Sequence, residues 1–91
     1  MNVIIKQIEL IERIDQLIHL RATGTPCELA QRLDVSKPTL YRLIRTMKAL
    51  NAPIAYDVAL GSFIYERSVR FQFGFYKNMG ITEPLYSKSV C

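Results

Sequence analysis

Two helix-start signals lie close together in the middle of this chain and limit what it can fold into. In the segment TPCE, residues 25–28, threonine stands at an N-cap, proline at the first helical position, and glutamate where it completes a capping box. Ser36 supplies the second signal, because its hydroxyl can accept a hydrogen bond from the backbone amide of Thr39. The sequence therefore predicts a short helix, a brief turn at Asp34-Val35 and another helix directly after it.

A longer helix is predicted ahead of this pair. Between Val3 and Leu20 the apolar residues recur at helical spacing and fall within about half of a helical wheel. Gly24 can end this first helical segment. The residues on its apolar side are Val3, Ile4, Ile8, Leu10, Ile11, Ile14, Leu17 and Ile18.

The third helix is predicted to be apolar on one side and basic on the other. The apolar positions are Leu40, Leu43, Ile44, Met47 and Leu50, and the outer positions are Lys37, Pro38, Tyr41, Arg42, Arg45 and Lys48. The whole chain has a formal charge of +4, and the segment from Lys37 to Lys48 carries four positive charges and no negative one. Such clustering is the electrostatic footprint of a polyanion-binding protein, although a solvated basic face gives the same composition.

After Asn51 the pattern changes from helical spacing to alternation, which predicts a β-hairpin turning at Gly61 and a third strand over residues 69–76. The positions that share a side are Ile54, Tyr56 and Val58 in the first run, Phe63 and Tyr65 in the second, and Phe71, Phe73 and Phe75 in the third. At 91 residues the chain fits one small domain. We therefore expect one α+β domain over residues 1–76 and a polar C-terminal tail over residues 77–91.

Two helices joined by a short turn, with basic and hydroxyl groups near the start of the second, are typical of the helix-turn-helix, and a following hairpin makes the winged variant. The alternative is a plain helical hairpin with a solvated basic face. That alternative predicts acids mixed among the bases of the third helix, and there are none. The pattern thus favours sequence-specific binding of double-stranded DNA, with a recognition helix over residues 36–50 in the major groove.

The same residues carry a family resemblance. The segment TGTPCELAQRLDVSKPTLYRLIRTMKAL, followed by NAPIAYDVALGSFIYE, resembles the N-terminal winged helix-turn-helix domain of the DeoR/YafY-type bacterial transcription regulators. The match covers roughly residues 20–66 and includes both caps, the core of the third helix and the hairpin aromatics. It implies a small bacterial transcriptional regulator or a DNA-binding accessory of a mobile element.

The resemblance also implies which side chains face DNA. They are Ser36, Lys37, Pro38, Thr39, Tyr41 and Arg42. Their chemistry fits this role, since arginine can bind a guanine edge with two hydrogen bonds, while lysine, tyrosine and hydroxyl groups can contact phosphate or base. Arg45 and Lys48, further along the helix, are expected to attract phosphates without regard to sequence.

The chain departs from the family pattern in three places. Cys27 stands where glutamate or arginine is common, and the predicted wing tip DVALGS has no arginine or lysine to insert into the minor groove. The sequence stops where relatives of this type continue into a ligand-sensing domain. We therefore expect no ligand control within this chain, and the residues leave open whether the wing contacts DNA.

Other functional classes find little support in the sequence. Cys27, Cys91 and the single His19 offer no metal-ligand spacing and no disulfide framework, and there is no glycine-rich phosphate loop. His19 is expected at the surface without a paired acid, and the hairpin and third-strand aromatics are expected in a core or interface. No run approaches the roughly 18 apolar residues of a membrane span. We expect a cytoplasmic protein that is not an enzyme and needs no cofactor or metal.

Self-association is the last expectation. The apolar arc of the first helix is wider than one core requires, and the predicted strand over residues 69–76 adds a second apolar face. A homodimer through the first helix, this strand or both would cover the surplus and present two recognition helices. The structural alternative is a monomer in which the strand folds over the first helix. The functional alternative is a winged helix used only for protein–protein interaction.

Overall fold

Three helices precede a β-hairpin in residues 3–75, the part of the chain that the computed structural model describes. The elements are α1 (Val3–His19), α2 (Pro26–Leu33), α3 (Lys37–Ala49), β1 (Ile54–Asp57) and β2 (Ser62–Tyr65). The two strands pair in antiparallel fashion. The predicted α+β class, the three helices and the hairpin are confirmed. The predicted tail, residues 77–91, lies outside the described residues.

Both predicted helix starts are confirmed. The backbone N–H of Thr25 donates to Glu28 Oε1 at 2.8 Å, and the N–H of Glu28 donates to Thr25 Oγ1 at 3.2 Å, which completes the capping box. The backbone hydrogen bond from Thr25 holds the pKa of Glu28 below its ordinary value. At α3, the N–H of Thr39 donates to Ser36 Oγ at 3.3 Å. Gly24 is required beside the first cap, because a Cβ there would lie 2.5 Å from Glu28 Oε1.

All three helices end in the same way, which the sequence pattern did not predict. After each helix one residue that is not glycine adopts the left-handed conformation, and the next amide reaches back to a carbonyl in the last turn, as in a Schellman motif. The left-handed residues are Arg21, Asp34 and Asn51, with φ of 53°, 58° and 76°. The amides of Ala22, Val35 and Ala52 donate to the carbonyls of Leu17, Ala30 and Met47 at 2.9, 3.0 and 3.0 Å. The first helix therefore ends through Arg21, and the prediction that Gly24 ends it was wrong.

The hydrophobic core lies where the three helices and the hairpin meet. It contains Ile11, Ile14 and Ile18 of α1, Leu29, Ala30 and Leu33 of α2, Leu40, Leu43, Ile44 and Met47 of α3, and Ile54 and Phe63 of the hairpin. Four of the five predicted apolar positions of α3 are thus buried. Leu50 is the exception at 61% exposed, because it follows the last residue of the helix. The apolar arc of α1 is buried only toward its C-terminal half, and Val3 is 67% exposed.

The hairpin pairs Ile54 with Tyr65 and Tyr56 with Phe63, as the predicted alternation requires. The rings of Tyr56 and Phe63 meet edge to face, with centroids 5.1 Å apart. Val58 was predicted to share the side of Ile54 and Tyr56, and that was wrong. It lies exposed in the turn, because β1 ends at Asp57, whose carbonyl accepts a hydrogen bond from the N–H of Gly61 at 2.9 Å.

The predicted third strand is not present in residues 69–75, and the sheet of the described chain has two strands. The segment runs beside α1 instead: the backbone N–H of Phe71 donates to Asp15 Oδ1 at 3.2 Å, and the Phe71 side chain packs partly on the core. Phe73 and Phe75 are exposed. Alternation alone therefore misled the prediction, because a side-chain carboxylate of α1 takes the amide that a strand would have offered to a neighbour.

A buried polar contact attaches the hairpin to the helices. Thr23, in the link between α1 and α2, and Ser62, at the start of β2, are both almost fully buried. The N–H of Phe63 donates to Thr23 Oγ1 at 2.8 Å, the N–H of Thr23 donates to Ser62 Oγ at 3.3 Å, and the two hydroxyl oxygens lie 3.0 Å apart. These bonds hold β2 against the link between α1 and α2 and so help to set the position of the hairpin relative to the helices.

Candidate nucleic-acid interface

The outer face of α3 brings together all the residues predicted to contact DNA. Seven of them are exposed, namely Ser36, Lys37, Pro38, Tyr41, Arg42, Arg45 and Lys48. Thr39 is partly buried at the N-terminal end of the same helix. The opposite side of the helix is in the core, so the orientation of this face is set by packing. We call the surface formed by these eight residues the α3 face.

The α3 face is basic, and no described carboxylate neutralises it. Within residues 3–75 no salt bridge involves any of its four basic residues, Lys37, Arg42, Arg45 and Lys48. The salt bridge found in this part of the chain joins His19 and Asp15, which lie on α1. The sequence has no acid between Asp34 and Asp57, so none comes from α3 itself. Because like charges on one face repel each other, such a face is favourable only when it stays solvated or meets a polyanion.

Three side chains at the N-terminal end of the α3 face are hydrogen-bonded to each other. Ser36 Oγ donates to Thr39 Oγ1 at 3.1 Å, and Arg42 Nη2 donates to the same oxygen at 3.1 Å. Thr46, further along, donates from Oγ1 to the backbone carbonyl of Arg42 at 3.0 Å. The sequence predicted Ser36 as a cap but gave no sign that Thr39 would also bind a guanidinium group.

A groove of about 350 Å³ runs beside this face, between α1 and α3, with Leu10, Leu43 and Ala49 among its lining residues. Its α3 wall includes Thr39, Arg42, Arg45 and Thr46, and its α1 wall includes Gln7. Gln7 was not among the predicted site residues, because a lone glutamine on the outer side of a helix carries no signal in the sequence. Two arginines and an amide along one groove provide donors suited to a phosphate backbone.

The turn of the hairpin has a different character from the α3 face. Val58 is 81% exposed and Leu60 is exposed as well, and the segment from Asp57 to Gly61 contains no basic residue. The turn is held locally, since the N–H of Leu60 donates to Asp57 Oδ1 at 3.0 Å. The tip therefore offers apolar contact and no positive charge.

A second polar cluster lies on α1, and it corrects the expectation that His19 has no paired acid. Asp15 is buried, and its Oδ1 accepts a hydrogen bond from Tyr65 Oη at 2.7 Å and lies 3.4 Å from His19 Nε2. The rings of His19 and Tyr65 meet edge to face at 5.4 Å. Burial, together with the hydrogen bond to Asp15, raises the pKa of Tyr65 well above its ordinary value. The position of His19 at the surface is confirmed.

Within residues 3–75, no three histidine, cysteine or acidic side chains gather as metal ligands, and Cys27 is a free, exposed thiol. None of the helices in this part of the chain has the length and apolar character needed to cross a membrane. Comparison of the chain with family models, with curated proteins and with solved structures found no match.

Proposed function

We propose that this chain is a winged helix-turn-helix domain that binds double-stranded DNA by sequence, with α3 as the recognition helix. The observation that carries the proposal is the α3 face, an exposed helix surface with four positive charges and no described carboxylate partner. An α-helix fits the major groove, which is about 12 Å wide. Binding would release the counterions of the neutralised phosphates and so relieve the repulsion among the bases.

The arrangement of the elements supports the same proposal. Only Asp34, Val35 and Ser36 separate α2 from α3, and the hairpin follows α3 directly, the order of a winged helix-turn-helix. The resemblance to the DeoR/YafY-type regulators points the same way. On this basis the chain acts in the bacterial cytoplasm as a small transcriptional regulator or as a DNA-binding accessory of a mobile element.

The residues of the α3 face divide into two roles. Arg42 lies in the first half of the helix and has the donors to read a guanine edge, whereas Lys48 lies in the last turn and attracts phosphate. Arg42→Ala should therefore cost about 1–3 kcal/mol on the preferred duplex and relax base preference. Lys48→Ala should weaken binding to all duplexes by a similar factor and reduce the salt slope by about one.

The test is fluorescence anisotropy with a duplex selected from a random pool, over a series of salt concentrations. Arg67→Ala is the charge-matched control, because Arg67 is exposed and follows β2 rather than lying on α3. The proposal fails if the wild-type protein does not bind duplex DNA at low salt, or if its binding does not weaken as salt rises. Equal losses on every sequence for Arg42→Ala and Lys48→Ala would refute the division of roles.

The alternative function is a winged helix that binds another protein and not DNA. The exposed apolar tip at Val58 and Leu60 favours it, because such a tip suits protein contact better than phosphate contact. The same binding experiment separates the two, since only the DNA-binding hypothesis predicts a salt-dependent duplex affinity.

We also propose that the protein forms a homodimer through the N-terminal half of α1 and the Phe71–Phe75 segment. Val3 is 67% exposed and Ile5 is 47% exposed, and an apolar groove of about 490 Å³ between α1 and the end of α3 includes Ile8, Leu50 and Phe73. Phe71 already covers part of α1, so the apolar surface left for a dimer partner to cover is smaller than the sequence predicts. A two-fold dimer would place two recognition helices on successive half-sites.

A further inference from the structure

We propose that Thr39 is a positioning residue that holds Arg42 for base recognition and thereby sets the specificity of the DNA site. The inference rests on the proposed function. One oxygen atom carries it: Thr39 Oγ1 accepts a hydrogen bond from Ser36 Oγ and another from Arg42 Nη2, each at 3.1 Å. A hydroxyl oxygen has two acceptor positions, so both are filled.

The position of this oxygen is not free to vary. The N–H of Thr39 donates to Ser36 Oγ at 3.3 Å, so the capping serine is held by the backbone of the helix it starts. Thr39 is β-branched and partly buried, which restricts its χ1 rotation. The acceptor for Arg42 is therefore built from the N-cap of α3, whose far side is in the core. An arginine held there keeps the same place relative to the helix axis.

Holding Arg42 in this way matters because a free arginine side chain has about 2 kcal/mol of rotamer entropy to lose on binding. Guanidinium has five N–H donors, and the bond to Thr39 uses one of them. The others include the pairs that bind guanine O6 and N7 together. The geometry thus orients the group before DNA arrives, and preorganisation of this kind raises affinity for the matching base over others.

Thr39 can act in a second, different way, and the two must be separated. The two bonds that its oxygen accepts do not use its own hydroxyl hydrogen, which can donate to a DNA phosphate. A phosphate contact carries no sequence information, so its loss weakens all duplexes alike. If Thr39 instead positions Arg42, its removal lowers the preference for guanine, and it does so only in a protein that still has Arg42.

The experiment measures the ratio of dissociation constants for the selected duplex and for duplexes in which each guanine pair is replaced in turn. Thr39→Val removes the hydroxyl and keeps the β-branched shape, while Thr39→Ser keeps the hydroxyl. Thr46→Val is the matched control, because Thr46 donates to the carbonyl of Arg42 and not to its guanidinium. Each change is made in the wild-type protein and in Arg42→Ala.

Thr39→Val should reduce the preference at one guanine pair by about three- to tenfold, the effect of a single hydrogen bond. Thr39→Ser should restore it, Thr46→Val should leave it unchanged, and Thr39→Val should have no further effect on preference in the Arg42→Ala protein. An unchanged preference in Thr39→Val, a uniform loss on all duplexes, or no rescue by serine overturns the inference alone. A wild-type protein without any base preference overturns the proposed function, and the inference with it.

Discussion

Removal of the Thr23 hydroxyl should destabilise the fold far more than its small size suggests. Valine has nearly the same shape, so Thr23→Val leaves no cavity and changes only the hydrogen bonds. The N–H of Phe63, which donates to Thr23 Oγ1 at 2.8 Å, would lose its acceptor inside the protein. Thr23 is 0% exposed and Ser62 is 1% exposed, so water cannot replace the lost partner without opening the hairpin.

The expected cost is mainly that of one buried, unsatisfied donor; the bond from Thr23 Oγ1 to the Gly24 carbonyl at 2.9 Å and the contact with Ser62 Oγ are lost as well. Such a group costs about 1–3 kcal/mol, and the Thr23 N–H to Ser62 Oγ bond remains in the variant. A loss of about 2 kcal/mol is a large share of the 5–15 kcal/mol that stabilises a typical small domain. It would lower the melting temperature by roughly 8–16 °C.

The assay is urea denaturation followed by far-ultraviolet circular dichroism, since the chain has no tryptophan. Thr46→Val is the control, because it deletes a threonine hydroxyl at an exposed position and should change the free energy of unfolding by less than about 0.5 kcal/mol. If Thr23→Val and Thr46→Val are equally stable, the buried hydroxyl pair does not hold the hairpin against the helices.

Three further predictions concern the end of α1, the buried carboxylate and the dimer. Arg21→Gly should raise the free energy of unfolding by about 0.5–1 kcal/mol in urea denaturation, because Arg21 has φ of 53° and glycine adopts this conformation without strain; an unchanged or lower stability would contradict this. Folding raises the pKa of Tyr65, so its contribution to the free energy of unfolding should be fully present below the unfolded pKa near 10.0 and should be lost as pH rises above that value. In melting curves recorded at alkaline pH, Tyr65→Phe should lose less stability with rising pH than the wild-type protein. The same pH profile for both proteins would contradict this prediction. Sedimentation equilibrium at micromolar concentration should give twice the chain mass of 10.5 kDa. Ile5→Lys should shift the protein to monomer, whereas Val58→Lys, at the exposed hairpin turn, should not. A wild-type mass that stays at 10.5 kDa would exclude the dimer.

Local features of the fold were predictable from the sequence. The capping box at Thr25 and the cap at Ser36 each join groups three residues apart, so the chain encodes them without help from the rest of the fold. The apolar rhythm of α3 likewise predicts its buried and exposed sides, since helical spacing assigns each residue to a face. For this reason helical periodicity was enough to group six residues of the α3 face on one side of the helix, whereas Ser36 and Thr39 were assigned to it by the family resemblance.

What the sequence could not determine depends on partners far along the chain. Asp15 stands next to Ile14 in the apolar arc of α1, which is an unusual place for an acid, but its partner Tyr65 is 50 residues away. The Thr23–Ser62 pair spans 39 residues, and neither residue carries a local signal. The Phe71 segment alternates like a strand, yet tertiary structure decided otherwise, because the Asp15 carboxylate accepts its amide. Short-range hydrogen bonds and periodicity are properties of the chain alone, whereas the choice among distant acceptors is made only when packing brings them within bonding distance.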